Sequence, residues 1–133
     1  MTGLDHESKL ICIDTWENDA MSEGKRDTFK EFSDHTGKFA HKILPVRGYS
    51  HDVFDKVRDI TEKIDFLFID GDHSYEGCKK DVALYMPLLK SGGIIAFHDI
   101  GWAEGVVKVI NDDVKPLLSK FEQFPNMFWG WIK

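Results

Sequence analysis

Two short segments carry residue types that could do chemistry together. The first, Asp70-Gly71-Asp72-His73-Ser74-Tyr75, sets two carboxylates around a glycine and follows them with a histidine. Glycine lets the backbone turn sharply, Asp70 and Asp72 offer oxygen donors or hydrogen-bond acceptors, and His73 is a base whose ordinary pKa lies near neutrality. Such a loop suits the holding of a metal or the moving of a proton. Asp72 or Ser74 would also cap a helix that follows, which is compatible with either task. The second segment is His98-Asp99. Carboxylates with histidines suit a divalent cation such as Mg²⁺ or Mn²⁺, and Mg²⁺, which prefers oxygen, would be content with Asp70, Asp99 and water. His98 could equally be a buried histidine bonded to the backbone.

These segments need elements to position them. Three apolar runs, Leu10–Asp14, Asp65–Asp70 and Gly93–Asp99, each end in an acid and read as buried parallel strands. A fourth run, Ala40–Val46, has Pro45 near its end, which points to an edge strand or a strand terminus. Helical patterns lie between them. One spans Glu23–Thr36 and stops at Gly37; one follows Ser50 as N-cap and lines up Val53, Val57, Ile60 and Ile64. A third runs from Tyr75 with Cys78, Val82, Tyr85 and Leu89 in line, Pro87 near its end and Gly92-Gly93 as the stop. The last starts near Ala103, aligns Val107, Ile110, Val114 and Leu117, and ends near Pro116. Lys120–Phe124, Pro125-Asn126 and Met127–Ile132 then read as strand, turn and aromatic strand. The alternation predicts an α/β, Rossmann-like doubly wound fold: a mostly parallel sheet with helices on both faces, closed by a C-terminal antiparallel hairpin. Ligands gather beyond the carboxyl ends of such strands, so Asp14, Asp70 and Asp99 are expected to converge on one crevice.

The bulk properties bound the rest. A chain of 133 residues, 42% hydrophobic, has the length and apolar content of one domain, read here as 1–133. A net charge of −6 argues against nucleic acid as a partner, since a phosphate backbone calls for a basic excess. No run approaches the roughly 20 apolar residues that span a bilayer, and Met1–Leu10 is too polar for a signal peptide, so a cytoplasmic protein away from membranes is expected. Cys12 and Cys78 lack the spacing of a zinc site or redox pair and read as buried small hydrophobes. His6, His35, His41 and His51 have no partner pattern and read as surface residues, while Phe128, Trp129 and Trp131 suit a substrate pocket, a core or a dimer interface.

The run Asp65-Phe66-Leu67-Phe68-Ile69-Asp70-Gly71-Asp72-His73-Ser74-Tyr75-Glu76-Gly77, followed by Leu88-Leu89-Lys90-Ser91-Gly92-Gly93-Ile94-Ile95-Ala96-Phe97-His98-Asp99, closely resembles the fourth and fifth strand regions of class I S-adenosylmethionine-dependent methyltransferases. The subgroup it resembles is methyltransferase domain family 24, with its sugar and macrolide O-methyltransferases. The resemblance implies S-adenosylmethionine as cofactor and methyl transfer to a hydroxyl of a small-molecule substrate. It places Asp14, in Ile13-Asp14-Thr15-Trp16, at the acid that binds the ribose hydroxyls, with Trp16 beside it. It also places Gly48, Tyr49 and Ser50 along the adenine and Asp70 at the cofactor crevice. In metal-dependent members, strand-end acids hold Mg²⁺; the matching residues are Asp70, His98 and Asp99, and His73 matches the residue that takes the substrate proton. The first member of the last pair is commonly acidic, and here it is His98.

A second departure lies at the front. The ribose acid normally follows a glycine-rich turn by about 20 residues, whereas 13 residues containing Gly3 alone precede Asp14. The first strand, its loop and its helix are therefore expected to be missing, with cofactor binding weak or altered. Without that strand two sheet edges would be left open. Either Leu10–Asp14 closes up beside Asp65–Asp70, or a second copy covers the edges in a homodimer, the expectation preferred here. Two other functions fit some of these residues: a non-catalytic remnant serving as a dimerisation or binding module, and a metal-dependent hydrolase using Asp70, His73, His98 and Asp99.

Overall fold

The computed structural model describes residues 7–19 and 23–133. Its contacts divide into two compact units, one up to Ile60 and one from Thr61 to Lys133. His6 lies outside the described residues, as does part of the stretch leading into the first helix.

The first unit is built on strands β1, Leu10–Asp14, and β2, Ile43–Arg47, paired in parallel from Leu10 opposite Ile43 to Asp14 opposite Arg47. The strand expected at Ala40–Val46 begins later, because Gly37–Phe39 forms a 3-10 turn and Ala40 closes it. Pro45 sits within β2 opposite Cys12, on the outer strand of a two-stranded sheet, where its missing N–H costs no ladder bond. Helix α1 covers Phe29–Thr36 and not the whole of Glu23–Thr36, since the Asp27 carboxylate takes the Phe29 N–H at 2.9 Å and starts the helix there. Gly37 ends α1 with an ordinary helical φ of −53°. Helix α2 covers Phe54–Ile60. Ser50 is not its cap: a turn closed by the N–H groups of Asp52 and Val53 on the Tyr49 carbonyl comes first. Val53 and Val57 of the foreseen stripe are buried, Ile60 is exposed, and Ile64 opens the next strand.

In the second unit β3, Ile64–Ile69, lies parallel to β4, Leu89–His98. Strand β6, Met127–Ile132, runs antiparallel to β4, and β5, Leu118–Gln123, antiparallel to β6, giving the order β3-β4-β6-β5. The C-terminal hairpin is thus as expected. Within its own four-stranded sheet β3 is the edge strand.

Helix α3 spans Tyr75–Tyr85, started by Ser74, whose hydroxyl accepts the Gly77 N–H at 3.1 Å. Pro87 lies in the 3-10 turn Met86–Leu88 that ends it. Leu89 therefore begins β4, and the glycines expected to stop the helix sit in an irregularity of that strand instead, with Gly92 at φ +76°. Helix α4 spans Glu104–Val109 and passes into a π turn, Ile110–Val114, and a 3-10 turn, Lys115–Leu117. Leu117, past the change of pitch, is exposed and Val107 is half-buried, while the expected Ile110 and Val114, together with Val106 and Val109, face the core. With Ile95, Phe97, Cys78 and Phe128 they form the core of this unit, each fully buried aliphatic or aromatic side chain contributing about 1.5–3 kcal/mol. Both cysteines are free; Cys78 is buried and Cys12 half-buried. No described helix is long and apolar enough to cross a membrane.

Candidate functional site

Parallel pairing of β3 with β4 sets Ile69 beside Phe97, so the residues that follow each strand emerge side by side. Asp70 follows β3, His98 ends β4, and Asp99 comes next, its backbone turned into the left-handed region at φ 62°. An aspartate tolerates that conformation better than most residues, and strain of this kind collects at functional sites. The turn is held by the Ala103 N–H on the Asp99 carbonyl at 2.9 Å. His73 enters from the loop before α3, where Asp72 accepts the Ser74 N–H at 2.8 Å. The loop is pressed against α4 at Gly105, where a Cβ would stand 2.5 Å from the Tyr75 nitrogen.

Four of the expected residues therefore meet. One ligand atom each from Asp70, His73 and Asp99 lies within 4.8 Å of the others. His73 Nε2 is 2.9 Å from Asp99 Oδ2 and 4.0 Å from Asp70 Oδ1. The short contact has an ion pair's distance without a hydrogen bond's geometry, and Nε2 is buried with no hydrogen-bond partner. His98 Nδ1 is 3.3 Å from Asp99 Oδ1 and 3.6 Å from Asp70 Oδ1.

Two further residues were not foreseen. The Trp102 indole donates to Asp99 Oδ1 at 3.0 Å, and its ring lies 4.7 Å from that of His73. Asn126, in the β5–β6 turn, donates to the same oxygen at 3.2 Å. The Asp99 carboxyl is held below its ordinary range, first by the Trp102 hydrogen bond, then by Asn126 and the two histidines, against an opposing cost of burial. Asp99 is thus ionised at neutral pH. Beyond Trp102 opens a cleft of about 460 Å³ whose walls include Glu104, Lys108, Asn111 and Asp112, and Lys108 pairs with Asp112 across one turn.

The donor set fits a divalent cation. It offers two carboxylates and an orphaned imidazole nitrogen at coordination spacing, in a pocket already biased toward the charged form of Asp99.

The remaining expected residues lie in the first unit. Asp14 ends β1 exposed, with Oδ1 taking the Trp16 N–H at 2.7 Å in a tight turn that puts Trp16 at φ 52°. The Trp16 ring is 7% exposed and packs on Phe29 and Phe32, so it braces the Asp14 turn from below. Gly48 donates to the Asp14 carbonyl at 2.8 Å with φ +147°, and a Cβ there would stand 2.5 Å from Val53 Cγ1. Tyr49 is 49% exposed, its hydroxyl donating to Asp19 at 2.9 Å and its ring stacked on His51. Ser50 belongs to the turn that begins at Tyr49. The histidines read as surface residues, His35, His41 and His51, are exposed.

Comparison with known proteins bears on the fold and the family. An uncharacterised protein of Acanthamoeba polyphaga mimivirus is 34% identical over 107 residues, which are 77% of this chain and 47% of that protein. The O-methyltransferase NovP superposes with a TM-score of 0.72 over 96% of this chain and 61% of its own, at 11% identity. MycE methyltransferase from the mycinamycin biosynthetic pathway, solved with Mg, S-adenosylhomocysteine and mycinamycin VI, superposes with a TM-score of 0.60 over 95% and 45% of the respective chains, at 11% identity. The chain spans about half the length of the mimivirus relative and less than two thirds of NovP. These likenesses show a Rossmann-like α/β methyltransferase fold. The family model described as a methyltransferase domain, number 24 of that name, matches residues 2–100, and the chain belongs to that family of S-adenosylmethionine-dependent methyltransferases.

Proposed function

We propose that this chain carries the cofactor acid and the proton-handling and metal-holding residues of an O-methyltransferase acting on a hydroxyl of a small molecule with the help of Mg²⁺. The observation that supports this most is the orphaned, buried Nε2 of His73 lying 2.9 Å from Asp99. Bound to these residues, S-adenosylmethionine would supply an electrophilic methyl group and the divalent cation would lower the pKa of the acceptor hydroxyl.

Each residue then has a task. Asp14 keeps one carboxylate oxygen for its own turn and leaves the other for ribose hydroxyls, while Gly48, Tyr49 and Ser50 border the base. Asp70 and Asp99 supply oxygen donors to the cation. His73 would take the proton of the acceptor hydroxyl, for which its unpartnered Nε2 is placed. Trp102 holds His73 at its ring face and Asp99 through its N–H, and the cleft beyond it receives the acceptor. The place of β3 at the end of its own sheet, with Phe66 and Phe68 56% and 46% exposed, supports a homodimer as the working form.

Isothermal titration with S-adenosylhomocysteine, with and without Mg²⁺, tests the reading on the wild type and on Asp14→Ala. Micromolar binding that the substitution abolishes is the expected result. Absence of binding at millimolar ligand would sink the enzyme reading for this chain and leave a binding module.

A further inference from the structure

The turn between β5 and β6 reaches into the acid cluster through one side chain. Asn126 Oδ1 accepts the Gly101 N–H at 3.0 Å, which fixes which end of the amide is oxygen. The approach depends on glycine, since a Cβ at position 101 would lie 2.9 Å from both Asn126 Oδ1 and the Pro125 carbonyl. The other end, Nδ2, has only hydrogens to give. One is directed to Asp99 Oδ1 at 3.2 Å and one to His98 Nε2 at 3.5 Å.

An amide nitrogen cannot accept, so the ring nitrogen facing it must carry the lone pair. In neutral His98 the proton then sits on Nδ1, the nitrogen 3.3 Å from Asp99 Oδ1 and 3.6 Å from Asp70 Oδ1. If His98 bound a cation through Nδ1, its proton would move to Nε2 and point at the Asn126 donor, leaving two hydrogens opposed. We propose that Asn126 is a positioning residue that holds His98 in its Nδ1–H tautomer, with that N–H turned toward Asp70 and Asp99 at ion-pair distance, so that His98 spaces the two carboxylates instead of serving as a metal ligand. The inference rests on the reading that these carboxylates hold the cation, and it sharpens that reading. With His98 withheld, Asp70 and Asp99 would offer the cation oxygen donors, a set that favours Mg²⁺ or Mn²⁺ over the nitrogen-preferring Zn²⁺ or Ni²⁺.

Long-range ¹H–¹⁵N correlation spectra of the metal-free, ¹⁵N-labelled full chain, recorded above the ordinary imidazole range, read the tautomer directly. The His98 signals are assigned by their disappearance in His98→Gln. A protonated Nδ1 with an unprotonated Nε2 is expected, and a protonated Nε2 in the wild type would overturn the proposal without any variant at Asn126. In Asn126→Leu the preference should be lost and Mn²⁺ affinity, followed by electron paramagnetic resonance, should fall about tenfold. An unchanged tautomer in that variant would also overturn it. Failure of the wild type to bind Mn²⁺ would instead remove the metal from the proposed function, with the tautomer still deciding Asn126's role.

Discussion

Gly105 offers the sharpest test of how the site is built, because two effects there have opposite signs. Alanine is the better helix former, so Gly105→Ala in α4 should by propensity alone stabilise by about 0.5–1 kcal/mol. The added Cβ, however, would stand 2.5 Å from the Tyr75 nitrogen, 2.9 Å from the Ser74 carbonyl carbon and 3.0 Å from the His73 carbonyl oxygen. All three are backbone atoms and cannot rotate away. Restoring ordinary contact of about 3.5 Å requires α4 and the His73 loop to part by about 1 Å, and such overpacking costs about 1–3 kcal/mol. The net expectation is a loss of about 1–2 kcal/mol, a fall in Tm of about 4–8 °C. The same displacement moves His73 away from Asp99 and should lower the rate of the proposed methyl transfer by about 10–100-fold. Urea unfolding and thermal melts measure the first effect, with Gly37→Ala as control: Gly37 has a helical φ of −53° and open space around it, so alanine should be neutral or stabilising there. If Gly105→Ala is as stable as the control, α4 does not press on the His73 loop and the account of how that histidine is held fails.

Three other outcomes follow from the same geometry. Trp102→Phe removes the hydrogen bond that does most to hold the Asp99 carboxyl down, so the acid limb of Mn²⁺ binding should move to higher pH. A depressed carboxyl stabilises the fold above its ordinary range and loses that contribution as pH falls through the lowered value, so the stability gap between the variant and wild type should be present at neutral pH and close in acid; a gap independent of pH would refute the assignment. Gly48→Ala must adopt φ +147° with its Cβ 2.5 Å from Val53 Cγ1, and should cost about 1–3 kcal/mol in chemical denaturation. Burial pushes the Cys78 thiol up to about 12, so it should resist alkylation in the native protein at pH values where a free thiol reacts, and label only on unfolding.

The sequence disclosed elements where one physical signal dominated and misplaced them where two competed. Runs such as Phe66-Leu67-Phe68-Ile69 are too apolar and too short for anything but a buried or half-buried strand, and β1, β3 and β4 lie within a few residues of the expected runs. Leu89 was drawn into the helix stripe because its spacing from Tyr85 fits a helical period, but Pro87 ends the helix two residues earlier, and a proline's missing N–H outweighs one apolar match. The stripe in the last helix held at Ile110 and Val114 and failed at its far end, Leu117, for a different reason: a π turn changes the pitch, and nothing in Ile110-Asn111-Asp112-Asp113-Val114 announces it. Ser50 looked like a cap because serine after a strand usually is, while the actual turn is made by backbone groups that every residue possesses.

The site divided along the same line. Asp70, His73, His98 and Asp99 were legible because titratable groups at strand ends have few structural reasons to be there, and the fold brings all four together. Trp102 and Asn126 were not, because each has an ordinary reason to exist: an exposed aromatic near a helix start and an asparagine in a tight turn. What brings Asn126 to the cluster is the antiparallel pairing of β6 with β4, which sets His98 opposite Met127 and so carries the turn residue before it there. That register cannot be read from Pro125-Asn126 alone. It becomes accessible only once Gly101 is seen to be the one residue type that lets the turn approach, and a glycine two residues after an acid at a strand end is the signal that could have led to Asn126.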